Sequence, residues 1–247
     1  MQQLIHSAAF YLHITIGSLA LVVFWLPLIA KKGSANHIRF GNWFAKGMYA
    51  VSISGVLMSS LVLADPIGIR YPLNDFSVER IAQIAAQQRI FAGFLLMLSV
   101  LVFSNVKQSL LVLKAKANRE LLKTPFHLAT LTVLGVMGAV MAWIGITQQI
   151  ILFQIFSVLS MLNAFGGFRY IFKETLKKRE WVIAHLGNIV GAGIGAYTAF
   201  FAFGGRRFLS EIFTGQLQVI PWIVPGVVGI SLMTYFNRKY RQQYRVQ

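Results

Sequence analysis

The sequence of 247 residues contains no cysteine, which excludes disulfides, a thiolate metal site and a cysteine nucleophile. Any redox chemistry would need a cofactor. Acids are scarce, seven Asp and Glu against 23 Lys and Arg, and all seven fall in connections or near helix ends. An intramembrane metal hydrolase, which wants a carboxylate or another base within the apolar region, therefore ranks last among the function classes. Charge of either sign is also sparse, at 12% against 56% hydrophobic residues, where soluble domains carry about 25% charged residues. The composition points to an integral membrane protein rather than a soluble domain with an anchor. No linker, low-complexity tract or soluble domain is visible, so a single compact bundle is expected.

What is present is a series of seven long apolar runs, at 8–30, 43–64, 90–113, 126–147, 149–168, 181–203 and 220–236. Each is near the ~20 residues that a helix needs to cross a bilayer. The spacing predicts an all-α, polytopic transmembrane helix bundle of about seven spans. The formal net charge of +16 would suggest nucleic acid in a soluble protein, yet its placement has a better explanation, and no nucleic-acid partner is expected. Basic residues gather at Lys31–Lys46, Lys107–Lys123, Arg169–Arg179 and Arg238–Arg245, which together hold 18 of the 23 and every lysine. Those segments fall on one side of the membrane, and the bias toward Lys and Arg marks that side as cytoplasmic. The predicted topology is N-out and C-in, with the lipid bilayer as the chief partner. Met1–Phe10 holds no Lys or Arg, so the first run is expected to be retained rather than cleaved as a signal peptide.

The sixth run is the focus of the chain. Gly187, Gly191 and Gly195 recur every four residues, a small-residue ladder that lets neighbouring helices approach closely. His185 and Asn188 lie on a different flank at about 100° per residue. An ionisable side chain inside a span is a functional-site hypothesis, although His185 lies only about one turn from the helix end. Gly191-x-Gly193-x-Gly195 lacks the strand and the spacing of a dinucleotide-binding loop.

Five further features accompany it. In the first run, His13 shares a stripe with His6, Gly17, Ala20 and Phe24; it is either bonded to a serine or carbonyl of a neighbouring helix, or a ligand or proton site. His37 and His127 fall near the starts of the second and fourth runs, at the same depth as His185. The fifth run carries Gln154, Ser157, Ser160 and Asn163 as a polar stripe, which must face protein or a water-filled cavity and serves as helix-helix glue or as the wall of a polar pathway. Arg206 and Arg207 follow Gly204-Gly205 and suit an anion, by default a lipid headgroup. Pro225 predicts a kink in the seventh run.

His13-x-x-x-Gly17, Lys32-Gly33-x-x-x-His37-x-x-x-Gly41, His127 and Trp181-x-x-x-His185 resemble the bacterial multi-pass membrane proteins of the domain of unknown function 2306 family. The resemblance implies a bacterial inner-membrane bundle with a recurrent histidine set, and it implies no reaction. From the residues, His185, His127 and His37, with Asn188, are expected to form a histidine-lined cytoplasmic-side site, and His13, alone near the outer side, is a further cofactor-binding candidate. Imidazole serves both haem b and metal ions, so membrane redox chemistry with an electron-transfer partner is one reading. The other is a proton-coupled carrier or channel for a small molecule, since a histidine pKa near ~6.5 suits proton handling.

Overall fold

The computed structural model describes residues 1–70, 77–205, 209, 211–214, 217 and 220–243. Among them there is no strand. The helices are α1 (Gln2–Ile29), α2 (Ala35–Ala64), the short α3 (Pro66–Arg70), α4 (Val78–Ala115), α5 (Pro125–Thr147), α6 (Ile151–Phe172), α7 (Glu180–Ala199) and α8 (Ile220–Gln243).

Local chemistry sets the boundaries. Lys32 Nζ donates to the carbonyls of Pro27 and Leu28 at 2.8 Å each, satisfying acceptors that the last turn of α1 leaves open. Gly33 then takes a φ of 78°, open to glycine without a Cβ penalty, and Ser34 accepts the N–H of His37 as the cap of α2. Pro125 opens α5, where a missing N–H costs nothing. Gln154 Nε2 donates to Gly145 O at 2.8 Å, tying the start of α6 to the last turn of α5.

Among the described residues six helices are long and apolar enough to cross a membrane, the sixth running from Glu180 through a π-helical turn to Gly204. Only 22–33% of each apolar window is buried by protein, and α5 presents Val136, Val140, Trp143 and Ile146 outward along one stripe. Exposed apolar stripes on several helices fit a multi-pass protein surrounded by lipid. The expected seventh span is helical within α8, which continues through Pro225, but it is not among those six.

The chain divides into two compact units, Met1–Phe103 with Thr130–Phe165, and Ser104–Ala129 with Gly166–Gln247. In the first, Phe24 of α1 meets Phe44 of α2 at 5.3 Å, Tyr49 of α2 meets Phe103 of α4 at 5.3 Å, and Phe94 of α4 stacks on Phe153 of α6 at 4.5 Å. A Cβ on Gly138 of α5 would lie 2.9 Å from Met161 Cγ and 3.2 Å from Ser157 O, so a glycine is what lets α5 and α6 come together. In the second, α7 packs on α8, and a Cβ on Gly229 would run into the Ile194 side chain.

Two rungs of the glycine ladder of α7, Gly187 and Gly191, do not supply the expected close approach. Nothing lies within 4 Å of a Cβ added at Gly187, and one at Gly191 would make ordinary contact with Asn105. The buried residues of α7 are Leu186, Val190, Ala192, Gly193 and Thr198. A close approach of α7 and α8 is seen at Gly229, on the partner helix, where Ile194 leaves no room for a Cβ.

Candidate functional site

The second unit contains a polar cluster built on the C-terminal part of α4. Ser104, Asn105, Gln108 and Ser109 are all buried there, and Lys107 lies among them. Steps of one, three and four residues place Ser104 with Gln108, and Asn105 with Ser109, one turn apart on adjoining stripes. Polar side chains so placed in apolar surroundings need partners from neighbouring helices.

Two of these residues, adjacent in sequence, each hold a histidine. Gln108 Oε1 lies 2.5 Å from His127 Nε2, and His127, in the first turn of α5, is completely buried. With the amide oxygen accepting, Nε2 carries the ring hydrogen and Nδ1 carries the lone pair. Nδ1 is buried and has no hydrogen-bond partner among the described residues. Lys107 Nζ lies 3.5 Å from the centre of the Phe126 ring, a cation-π contact beside the same histidine.

Ser109 holds His185 of α7. Its Oγ lies 2.7 Å from His185 Nδ1 and 3.2 Å from His185 O, so the ring N–H donates to the hydroxyl while the hydroxyl donates to the carbonyl. The ring nitrogen is also 3.2 Å from Ser109 O. One α4 residue thus fixes both the ring and the backbone of α7 at this level. Asn188 does not meet the ring through its amide nitrogen, which donates to Ala184 O of its own helix at 2.7 Å.

The remaining histidines belong to the first unit. His37 Nδ1 donates to Pro27 O at 2.9 Å; it joins Lys32 in closing the end of α1, a structural use that the sequence did not suggest. His13 Nδ1 lies 3.0 Å from Ser54 Oγ of α2, the serine bond that was one of its two expected readings. A Cβ on Gly55 would sit 3.7 Å from His13 Cε1 and would overlap the Ser99 hydroxyl, so α1, α2 and α4 converge there.

Three histidines at one depth were expected as one arrangement able to hold a metal. Among the described residues no group of three His, Asp or Glu side chains could hold a metal ion, because the α2 histidine is committed to a helix end while the α5 and α7 histidines are held by α4. Along the α6 stripe, Gln154 is bonded to Gly145 O, and Asn163 is half-buried and engaged. Ser157 and Ser160 are fully buried, with hydroxyls lacking a partner among the described residues. Arg206 and Arg207 lie outside the described residues.

Sequence reasoning missed the α4 cluster. Its signal was visible: Ser104-Asn-Val-Lys-Gln-Ser109 puts five polar residues among six inside an apolar run. Lys107 weighed only as one more basic residue at the end of a span, which hid its polar neighbours. No family model, curated protein or solved structure matches the chain.

Proposed function

We propose that this chain is a seven-span protein of the bacterial inner membrane, N-out and C-in, that moves protons with a small polar solute past His127 and His185. The orientation rests on the placement of 18 of the 23 basic residues. The resemblance to the domain of unknown function 2306 family supports the same setting. The observation that carries the proton reading is the state of His127: completely buried, anchored through Nε2, with the Nδ1 lone pair unpartnered among the described residues. A neutral imidazole held in this way accepts a proton at Nδ1 without losing its anchor at Nε2. His185 is anchored by the next residue of the same helix, giving a second titratable ring in the cluster. His37 is left out of the site because its ring closes α1.

The test uses purified protein in vesicles loaded with a pH-sensitive dye, driven by a potassium diffusion potential with a panel of small polar solutes outside. Wild-type vesicles should change internal pH faster than protein-free vesicles, and His127→Gln, in folded protein, should lose about tenfold or more of that excess. Equal rates in wild type, variant and empty vesicles for every solute would refute the reading. A second reading, haem b or a metal ion serving membrane redox chemistry, is favoured by one observation: adjacent α4 residues hold imidazoles from two different helices. Gln108 occupies Nε2 of His127, so that ring would ligate through Nδ1. A Soret band that responds to dithionite would select this reading over the first.

A further inference from the structure

We propose that the cavity beside the α4–α5 connection seats the phosphate of an anionic phospholipid headgroup. The connection is held in a defined shape. Lys116 adopts a left-handed φ of 48° just after α4 ends, a conformation that costs a non-glycine residue energy and persists where the surroundings enforce it. Asn118 Oδ1 then accepts the N–H of Glu120 at 3.2 Å, capping a 3-10 turn over Arg119–Leu122, and Leu122 is completely buried. Arg119 reaches across to the end of α6, donating from Nη2 to Glu174 O at 2.9 Å and from Nη1 to Ile171 O at 3.5 Å.

Between these elements is a cavity of about 260 Å³, lined by Asn118, Arg119, Glu120, Lys123, Phe172 and Lys173 among others. That is just below the ~300–1,000 Å³ of sites for drug-sized ligands, and equals roughly nine water volumes at ~30 Å³ each, room for a phosphodiester with its glycerol. Three cations and one carboxylate face it. Among the described residues Arg119 uses two of its five N–H donors, on the carbonyls of Ile171 and Glu174. Lys123 pairs with Glu120 at 2.6 Å, but the two side chains are 37% and 72% exposed, and such a pair is weak enough for a phosphate oxygen to replace the carboxylate. Lys173 donates to both carboxylate oxygens of Glu180, at 2.8 and 3.0 Å, and contributes chiefly its field.

A lipid, rather than a soluble phosphate, is indicated by the rim. Phe172, at the end of α6, lines the cavity and is an exposed large apolar side chain, placed where an acyl chain would run. Basic pockets between helices on the cytoplasmic side are a recurrent headgroup site. The cytoplasmic assignment rests on the orientation proposed above, whereas headgroup binding does not depend on it.

The test measures lipid retained by the purified full-length protein, by native mass spectrometry, after equilibration with equal phosphatidylglycerol and phosphatidylcholine in detergent. Phosphatidylglycerol should be retained preferentially. Lys123→Gln should weaken that retention about fivefold, the loss expected for about one basic contact near a membrane surface. Glu120→Gln should strengthen it, and Lys178→Gln, which removes an exposed lysine elsewhere, should leave it unchanged. Equal retention of the two lipids, or equal losses in Lys123→Gln and Lys178→Gln, would overturn the proposal. Displacement of the lipid by millimolar inorganic phosphate, with the protein equally stabilised, would overturn the lipid assignment in favour of a free anion. Vesicle labelling that reversed the orientation would leave this readout intact, so the two failures are distinguishable.

Discussion

Gln108→Leu tests the architecture of the histidine site most directly. Gln108 and His127 are 3% and 0% exposed and face each other across 2.5 Å, so leucine would remove the acceptor and strand a buried ring N–H. A stranded donor costs about 1–3 kcal/mol, while interhelical hydrogen bonds within membranes average only about 0.6 kcal/mol and reach about 1.7 kcal/mol. The two figures differ because the second is a net pair energy, whereas the first leaves one partner alone. Gln108→Leu should therefore destabilise by about 1–3 kcal/mol. Adding His127→Leu removes the stranded group, so the double variant should be less damaged than the sum of the singles. The coupling should fall between about 0.6 and 1.7 kcal/mol. Unfolding free energies in a lipid–detergent mixture supply all four corners of the cycle. A coupling within about 0.3 kcal/mol of zero, the margin for independent sites, would show that the amide is not the partner of His127. The same variants separate structure from function: a double variant that folds well and moves no protons keeps the proposed role of the ring, since leucine restores packing without a titratable nitrogen.

Glycine substitutions should differ in sign between α7 and α8. Gly229→Val drives a branched side chain into Ile194 and should cost about 1–3 kcal/mol, recovered in part by Ile194→Ala. Gly187→Ala meets nothing within 4 Å and should be neutral or stabilising by up to about 1 kcal/mol, from helix propensity alone; melting temperatures compare the two. Topology is checked by single cysteines, simple to introduce because the chain has none. Cysteines at Arg119 and Lys177 should be shielded from an impermeant thiol reagent in intact cells, and those at Asp75 and Arg206 should be labelled. The opposite pattern would reverse the orientation.

Sequence alone shows that helices form and roughly where they begin and end, and it marks seven apolar runs, of which six are, among the described residues, helices long and apolar enough for a membrane. Hydropathy and charge are properties of single residues that accumulate along a contiguous segment, so a helix-length window carries the information without knowledge of neighbours. Turn chemistry is local in the same way: Gly33, Ser34 and Pro125 act within a few residues of themselves. Tertiary structure decided which polar atoms meet. His127 and Gln108 are separated by 19 residues, and His185 and Ser109 by 76, and their pairing depends on the axial register and rotation of whole helices. A histidine within an apolar run reads the same whether it ends on a serine hydroxyl, a glutamine amide or the carbonyls of a helix terminus, which is why His13, His37, His127 and His185 looked alike in sequence and have four different partners in the fold. The glycines follow the same logic. A ladder in α7 advertises a surface able to pack closely, but whether a neighbour arrives there depends on where Gly229 of α8 meets Ile194, a meeting that no single helix encodes.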